Sequence, residues 1–152
     1  MRRAALASIA ADGDTAFLKV VRNIPGFDDD QQRTLAATVC FKGKQPMRLI
    51  SAYFPNGQSP DSDKFQYKLA WLKALQTWLQ SELSSHPRLA LLGDFNIAPE
   101  DRDVHEPAKW VGQNLVSPEE RGALNSYSAW GCMIHSVFLI KHRKRLAGGT
   151  TA

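Results

Sequence analysis

The chain has 152 residues, 43% of them hydrophobic, which is enough for one ordinary domain with a real core. Its 19 Lys+Arg against 15 Asp+Glu give a formal charge of +4, a mild bias toward a polyanionic partner. Two cysteines, Cys40 and Cys132, argue against a disulfide framework or a zinc cluster and fit a reducing cytoplasm, and no uncharged apolar stretch is long enough to span a membrane.

The opening Met1-Arg2-Arg3-Ala4-Ala5-Leu6-Ala7 has the basic start of a signal segment. Its apolar core is too short and is interrupted by Asp12 and Asp14, which argues against export. Residues 1–19 are Ala-rich and predict no definite element. Ile24-Pro25-Gly26-Phe27, followed by Asp28-Asp29-Asp30, reads as a turn or loop. Residues 33–41 predict a strand, with Leu35, Ala37 and Val39 alternating against Thr34, Ala36 and Thr38. Lys42-Gly43-Lys44-Gln45-Pro46 reads as a hairpin-type connection to a second strand over 47–54, which Pro55-Asn56-Gly57 ends.

Residues 65–83 carry the strongest helical pattern, with Phe65, Leu69, Leu72, Leu75, Leu79 and Leu83 on one stripe. Asp61, Ser62 and Asp63 supply start signals, His86-Pro87 stops the helix, and Trp71 and Trp78 widen its buried face as packing residues. A strand over 88–92 follows, then a polar loop from Ile97 to about Ser117. Ser117 caps a further helix with Pro118 at its first position. The order strand, strand, helix, strand, loop, helix implies a mixed α/β layered fold with functional loops at strand ends.

Two of those strand ends carry chemistry. The run Arg88-Leu89-Ala90-Leu91-Leu92 delivers Gly93-Asp94-Phe95-Asn96 to its exposed end. Side chains at i and i+2 share one face of a strand, so a carboxylate and a carboxamide can aim at one reacting atom. Such a pair suits a water oriented beside a metal-bound phosphate; an Asp/Asn turn is the plainer alternative. Tyr53-Phe54-Pro55-Asn56-Gly57 ends the other strand. If the two strands are neighbours, Tyr53, Asn56, Asp94 and Asn96 converge on one cleft; otherwise Tyr53 is a half-buried turn tyrosine and Asn56-Gly57 an ordinary turn pair.

Four ordered strings extend the pattern: Arg22-Asn23-Ile24-Pro25-Gly26-Phe27-Asp28-Asp29; Ala52-Tyr53-Phe54-Pro55-Asn56-Gly57-Gln58; Ser62-Asp63-Lys64-Phe65-Gln66-Tyr67-Lys68-Leu69-Ala70-Trp71-Leu72; and Gly93-Asp94-Phe95-Asn96-Ile97-Ala98-Pro99-Glu100-Asp101-Arg102-Asp103-Val104-His105. Residues 21–123 thereby resemble the exonuclease III branch of the endonuclease/exonuclease/phosphatase superfamily, the Mg²⁺-dependent apurinic/apyrimidinic (AP) endonucleases. The resemblance implies a partial four-layer α/β sandwich (DNase I-like), truncated at both ends. It implies a monomeric cytoplasmic DNA-repair nuclease acting on abasic sites or 3′ ends of duplex DNA, with Mg²⁺ as cofactor and Mn²⁺ as a substitute. It makes Asp94 the aspartate that orients or deprotonates the attacking water. Asn96 becomes its partner on the scissile phosphate, Tyr53 the active-site tyrosine, Asp94 and Asn96 the oxygen ligands for the metal, and Arg33 and Asn56 DNA contacts. His105 in the following loop reads as structural, and Asp101 and Asp103 as loop hydrogen-bonders.

The departures from the family pattern are as informative. The family's N-terminal Asn strand, its metal-binding Glu in a Gln-Glu-Thr-like string, and its closing Asp and Asp-His pair have no counterpart here; His135 and His142 sit in no such pair. The residues present therefore carry about half of an active site, and the chain alone is expected to be inactive. A non-catalytic truncated or pseudogene product, retaining at most DNA binding, is the alternative; a phosphoinositide or nucleotide substrate is a third.

From Ser126 the composition changes to Ser-Tyr-Ser-Ala-Trp-Gly-Cys-Met-Ile-His. Joining each codon's third base to the next codon's first two makes Trp130-Gly131 yield GGG, glycine, and Met133-Ile134 yield GAT, aspartate. Permitted codon choices elsewhere give LLGLGLHDTFR across residues 127–137 and SWWDYR across 146–152, strings the family carries downstream of this point. The chain thus divides into a partial nuclease domain over 1–125, with 1–19 matching poorly as a wrongly assigned start would, and an out-of-frame tail over 126–152. The basic Lys141-His142-Arg143-Lys144-Arg145 is then a translation accident, its functional alternative being a phosphate-binding tail. The encoding DNA is expected to hold these shifted-frame codons; a coding sequence without them refutes the division.

Overall fold

The computed structural model describes residues 15–130, and the backbone of residues 133–136. Cys132, His142, the basic cluster over 141–145, and residues 1–14 lie outside the described residues. The described elements are β1 (Thr15–Arg22), β2 (Thr34–Phe41), β3 (Met47–Tyr53), α1 (Asp63–Ser85), β4 (Leu89–Asp94), 3₁₀ turns at Asp101–Asp103 and Pro107–Lys109, α2 (Pro118–Ala129) and β5 (Met133–Ser136). The strands form one sheet in chain order. The β1–β2 and β2–β3 pairs are antiparallel and the β3–β4 and β4–β5 pairs parallel. Parallel neighbours need a crossover, and α1 and α2 supply the two. The molecule is the mixed α/β fold that the element order predicts.

β1 departs from the sequence reading, which gave residues 15–19 no element. Its positions are half-buried or exposed, with Leu18 and Val20 about half accessible, so no apolar period marks it. Backbone pairing with β2 makes it a strand, and its register shifts between Leu18 and Val21, where Lys19 adopts a φ of 49°. β2 differs too. Its alternation predicts one wet face, yet Ala36, Ala37, Thr38 and Val39 are all buried while Leu35 is half-buried. A strand enclosed on both sides loses its alternation.

Ala36, Ile50 and Leu91 stand side by side across β2, β3 and β4. They join Trp71, Leu72, Leu75 and Leu79 of α1 and Leu124 and Tyr127 of α2 in one core. Ser62 caps α1, its hydroxyl accepting from Phe65 N–H at 3.2 Å, and His86 closes it before Pro87. Trp71 is fully buried and Trp78 nearly so, both as packing residues. The predicted stripe is shifted: Leu69 and Leu83 are partly buried, whereas Lys68 sits at full burial among the core residues. Ser117 caps α2, as expected, in a reciprocal box with Glu120. Residues 126–129 continue α2, and the Tyr127 hydroxyl donates to the Leu72 carbonyl at 2.9 Å.

One glycine fixes how the two central strands meet. Gly93 has a φ of 140°, and a Cβ there would lie 1.8 Å from the Ala52 carbonyl oxygen. Any side chain would force β4 away from β3 at the register pair Ala52↔Gly93. Gly93→Ala is expected to cost about 3–5 kcal/mol in urea denaturation. Gly112→Ala, at φ 74° with nothing within 4 Å, should cost about 1 kcal/mol.

Candidate active site

The parallel register of β3 and β4 pairs Tyr53 with Asp94 at the carboxyl ends of both strands. Neighbouring Cα atoms in such a pair lie about 5 Å apart and their side chains share a face. Phe54 and Phe95, one residue further on, turn into the core beneath the helices. Strand alternation therefore sends Tyr53 and Asp94 to the opposite face, where both are exposed. Phe54 N–H donates to the Asp94 carbonyl at 2.9 Å, extending the ladder to the site itself.

Asn96 reaches the site by another route than the one the sequence suggests. β4 ends at Asp94, and Asn96 has a φ of 46°, so strand alternation does not relate the two residues. A turn joins them instead: Asn96 N–H donates to the Asp94 carboxylate Oδ1 at 3.2 Å, and the Asn96 side-chain Nδ2 donates to the Phe54 carbonyl at 2.9 Å. The carboxamide is thus fixed to the end of β3, beside Tyr53. Asn56 lies on the loop after β3, where its Oδ1 accepts from Gln58 N–H and from Asn114 Nδ2, both at 3.2 Å.

Arg33 is placed beneath Tyr53. It is 8% exposed, with its guanidinium carbon 5.6 Å from the Tyr53 ring centroid and 5.9 Å from that of Tyr67. Both distances are within cation–π reach. Asp29 lies 3.9 Å from its Nε, and Gln31 accepts from its Nη2. Burial, then the Asp29 carboxylate, pushes the Tyr67 phenol above its ordinary value against the opposing pull of Arg33. Arg33, Asn56 and Lys64 line a cavity of about 470 Å³. A larger cavity, about 800 Å³, lies between α1 and the loop before α2, walled by Phe65, Leu69, Trp110 and Val116. Neither cavity is lined by Tyr53, Asp94 or Asn96, so chemistry rather than size locates the site.

Asp101 and Asp103 act as loop hydrogen-bonders, as expected: Asp103 accepts from Glu100 N–H at 2.9 Å, and Asp101 pairs with Arg121 at 2.9 Å. Among the described residues there is no group of three or more His, Cys, Asp or Glu side chains able to hold a metal. Asp94 and Asn96 nonetheless provide hard oxygen donors. Mg²⁺ commonly takes one or two carboxylates and completes its shell with substrate phosphate and water, so the donor set fits in kind.

No family model matches the chain. Exodeoxyribonuclease III of Haemophilus influenzae is 29% identical over 111 residues, covering 68% of this chain and 42% of that protein. Among solved structures, a 3′ phosphatase, NExo, from Neisseria bound to product DNA hairpin superposes with a TM-score of 0.69 at 37% identity. The 3′-5′ exonuclease NExo from Neisseria meningitidis gives 0.69 at 38%; each match covers 76% of this chain and 44% of the other. An AP endonuclease from Archaeoglobus fulgidus gives 0.65 at 30%, covering 75% and 42%. These matches support an exonuclease III/AP endonuclease family fragment over the matched segment. The chain spans less than half the length of these relatives.

Within the matched segment the sequence reading missed Lys68 and Glu120. Both side chains are fully buried and form an ion pair. The Lys68 ammonium also donates to the Asn96 carbonyl at 2.7 Å and to the Asn56 carbonyl at 3.2 Å. Burial pushes its pKa below the ordinary lysine value, opposed by Glu120 and, more weakly, by the Asp94 charge. The available signal was position: Lys68 follows Phe65 by three and precedes Leu72 by four on the core stripe.

Proposed function

We propose that this chain carries the water-orienting half of an exonuclease III-type DNA-repair site. Its substrate is the phosphodiester 5′ to an abasic sugar, or the terminal phosphodiester at a 3′ end, in duplex DNA. The observation that carries the reading is the register pair Tyr53↔Asp94 on adjacent parallel strands, with the Asn96 carboxamide tied to the same strand end. Asp94 orients a water and accepts its proton as the oxygen attacks phosphorus. The bond to the 3′ oxygen breaks, and that oxygen takes a proton from solvent water to leave a 3′-hydroxyl. Asn96 and the Tyr53 hydroxyl hold the phosphoryl oxygens where charge develops. Bound Mg²⁺, or Mn²⁺ in its place, would be held by Asp94 and Asn96 and would neutralise phosphate charge. Asn56 meets the DNA backbone from the rim of the adjoining cavity, and Arg33 adds positive potential from beneath it.

The family's Glu ligand and Asp-His pair have no counterpart in these residues, so the 152-residue chain alone is proposed to bind without turning over, as a cytoplasmic monomer. No helix of the described residues is long and apolar enough to cross a membrane. The out-of-frame origin of residues 126–152 belongs to the same proposal. A second reading is a DNA-binding remnant with no metal-linked site.

Binding and incision of a labelled duplex with one abasic site separate these readings. The expected result is salt-dependent binding that tightens on adding Mg²⁺, with the tightening abolished by Asp94→Asn. Binding indifferent to both Mg²⁺ and Asp94→Asn supports the remnant. Incision by the chain itself, abolished by EDTA and lowered about 10²–10⁴-fold by Asp94→Asn, would establish the activity and overturn its incompleteness. Preference for soluble phosphomonoesters or phosphoinositides over abasic DNA would overturn the DNA substrate.

A further inference from the structure

We infer that Lys68 is a positioning residue of this site, a buried cation that locks the loop after β3 to the loop after β4. The inference rests on the reading of Asp94 and Asn96 as the phosphate-handling pair. An ammonium has three donors and no acceptor. Those of Lys68 meet the Asn56 carbonyl at 3.2 Å, the Asn96 carbonyl at 2.7 Å and the Glu120 carboxylate. The three acceptors come from two site loops and α2, so one side chain joins three segments distant in sequence. Asn114 Nδ2 adds a second tie to the Asn56 carbonyl at 3.0 Å.

Two further features fit the lysine to this place. A Cβ at Gly57 would stand 3.1 Å from the Lys68 Cδ and 3.1 Å from Phe65 Cδ2, so a glycine there leaves the lysine stem its path beneath the loop. Glu120 uses its other oxygen, Oε2, to accept from Ser117 N–H at 3.1 Å, which anchors the carboxylate to the start of α2. A buried ion pair is no more stable than a well-packed apolar substitute, and its best-attested use is to specify one arrangement. Here the arrangement specified is the position of the Asn96 backbone, which in turn carries the N–H donated to Asp94.

The test compares the wild-type chain with Lys68→Met/Glu120→Gln. Removing both charges avoids the stranded carboxylate of Lys68→Met alone, and a glutamine retains the Ser117 capping geometry. Amide relaxation and Mn²⁺-induced line broadening are read by nuclear magnetic resonance. We expect the folded double variant to lose order over residues 56–58 and 95–97, with order parameters falling from about 0.85 to below about 0.6. Mn²⁺ broadening of the Asp94 and Asn96 amides should require at least a tenfold higher concentration. A folded variant with rigid loops, or with mobile loops and wild-type Mn²⁺ broadening, overturns the positioning role.

The Lys68 ammonium resonance gives a second readout that needs no variant. It should be protected from solvent exchange in the wild-type chain and should shift on adding Mg²⁺. A protected resonance that Mg²⁺ leaves unmoved makes Lys68 merely structural. If Mn²⁺ fails to broaden the wild-type Asp94 and Asn96 amides, the nuclease reading fails, and loop order in the variant alone decides whether Lys68 locks the loops.

Discussion

The in-register parallel pairing of β3 with β4 is the constraint on which the site depends. It sets Tyr53 beside Asp94, and it is possible because Gly93 passes the Ala52 carbonyl with no Cβ between them. Parallel pairing requires a crossover, and α1 provides it while burying its stripe on the sheet face opposite Tyr53 and Asp94. Core and site are thus two faces of the same strands. Phe54 and Phe95 fill one face immediately after the positions proposed to supply chemistry to the other.

The loops that leave those strands are held from below by charge rather than by apolar packing alone. Lys68 occupies a core position on α1, and its partner Glu120 occupies the first turn of α2. Removing one member of such a pair generally costs about 3–5 kcal/mol, because the other is left charged and buried. Arg33 plays a related part on the opposite flank: its enclosed guanidinium lies between the Tyr53 and Tyr67 rings, and Asp29 balances it. Each buried cation lies beneath a segment that bears a residue of the proposed site, and each has a carboxylate beside it.

Periodicity and turn chemistry made most of the architecture legible. The 3.6-residue stripe placed α1, Ser117-Pro118 placed α2, and the apolar runs placed β2, β3 and β4. Convergence of Tyr53 with Asp94 required only that the two strands be neighbours, and they are. Three things were hidden for physical reasons. β1 exists through pairing with β2, which leaves no apolar period in its own residues. Asn96 meets Asp94 through a left-handed turn, which strand alternation does not describe. Lys68 gives no sign of its role because its burial depends on Glu120, a partner far away in sequence.

The proposed phosphodiester site lies at the carboxyl ends of β3 and β4. Its most direct test is backbone amide shift mapping of the 152-residue chain with a short duplex bearing one abasic site, in the presence of Mg²⁺. The amides of residues 53, 54, 56–58 and 93–97 should move first and furthest. Shifts concentrated on β1 and the outer end of β2, or a duplex that moves no amide at saturating concentration, would contradict it.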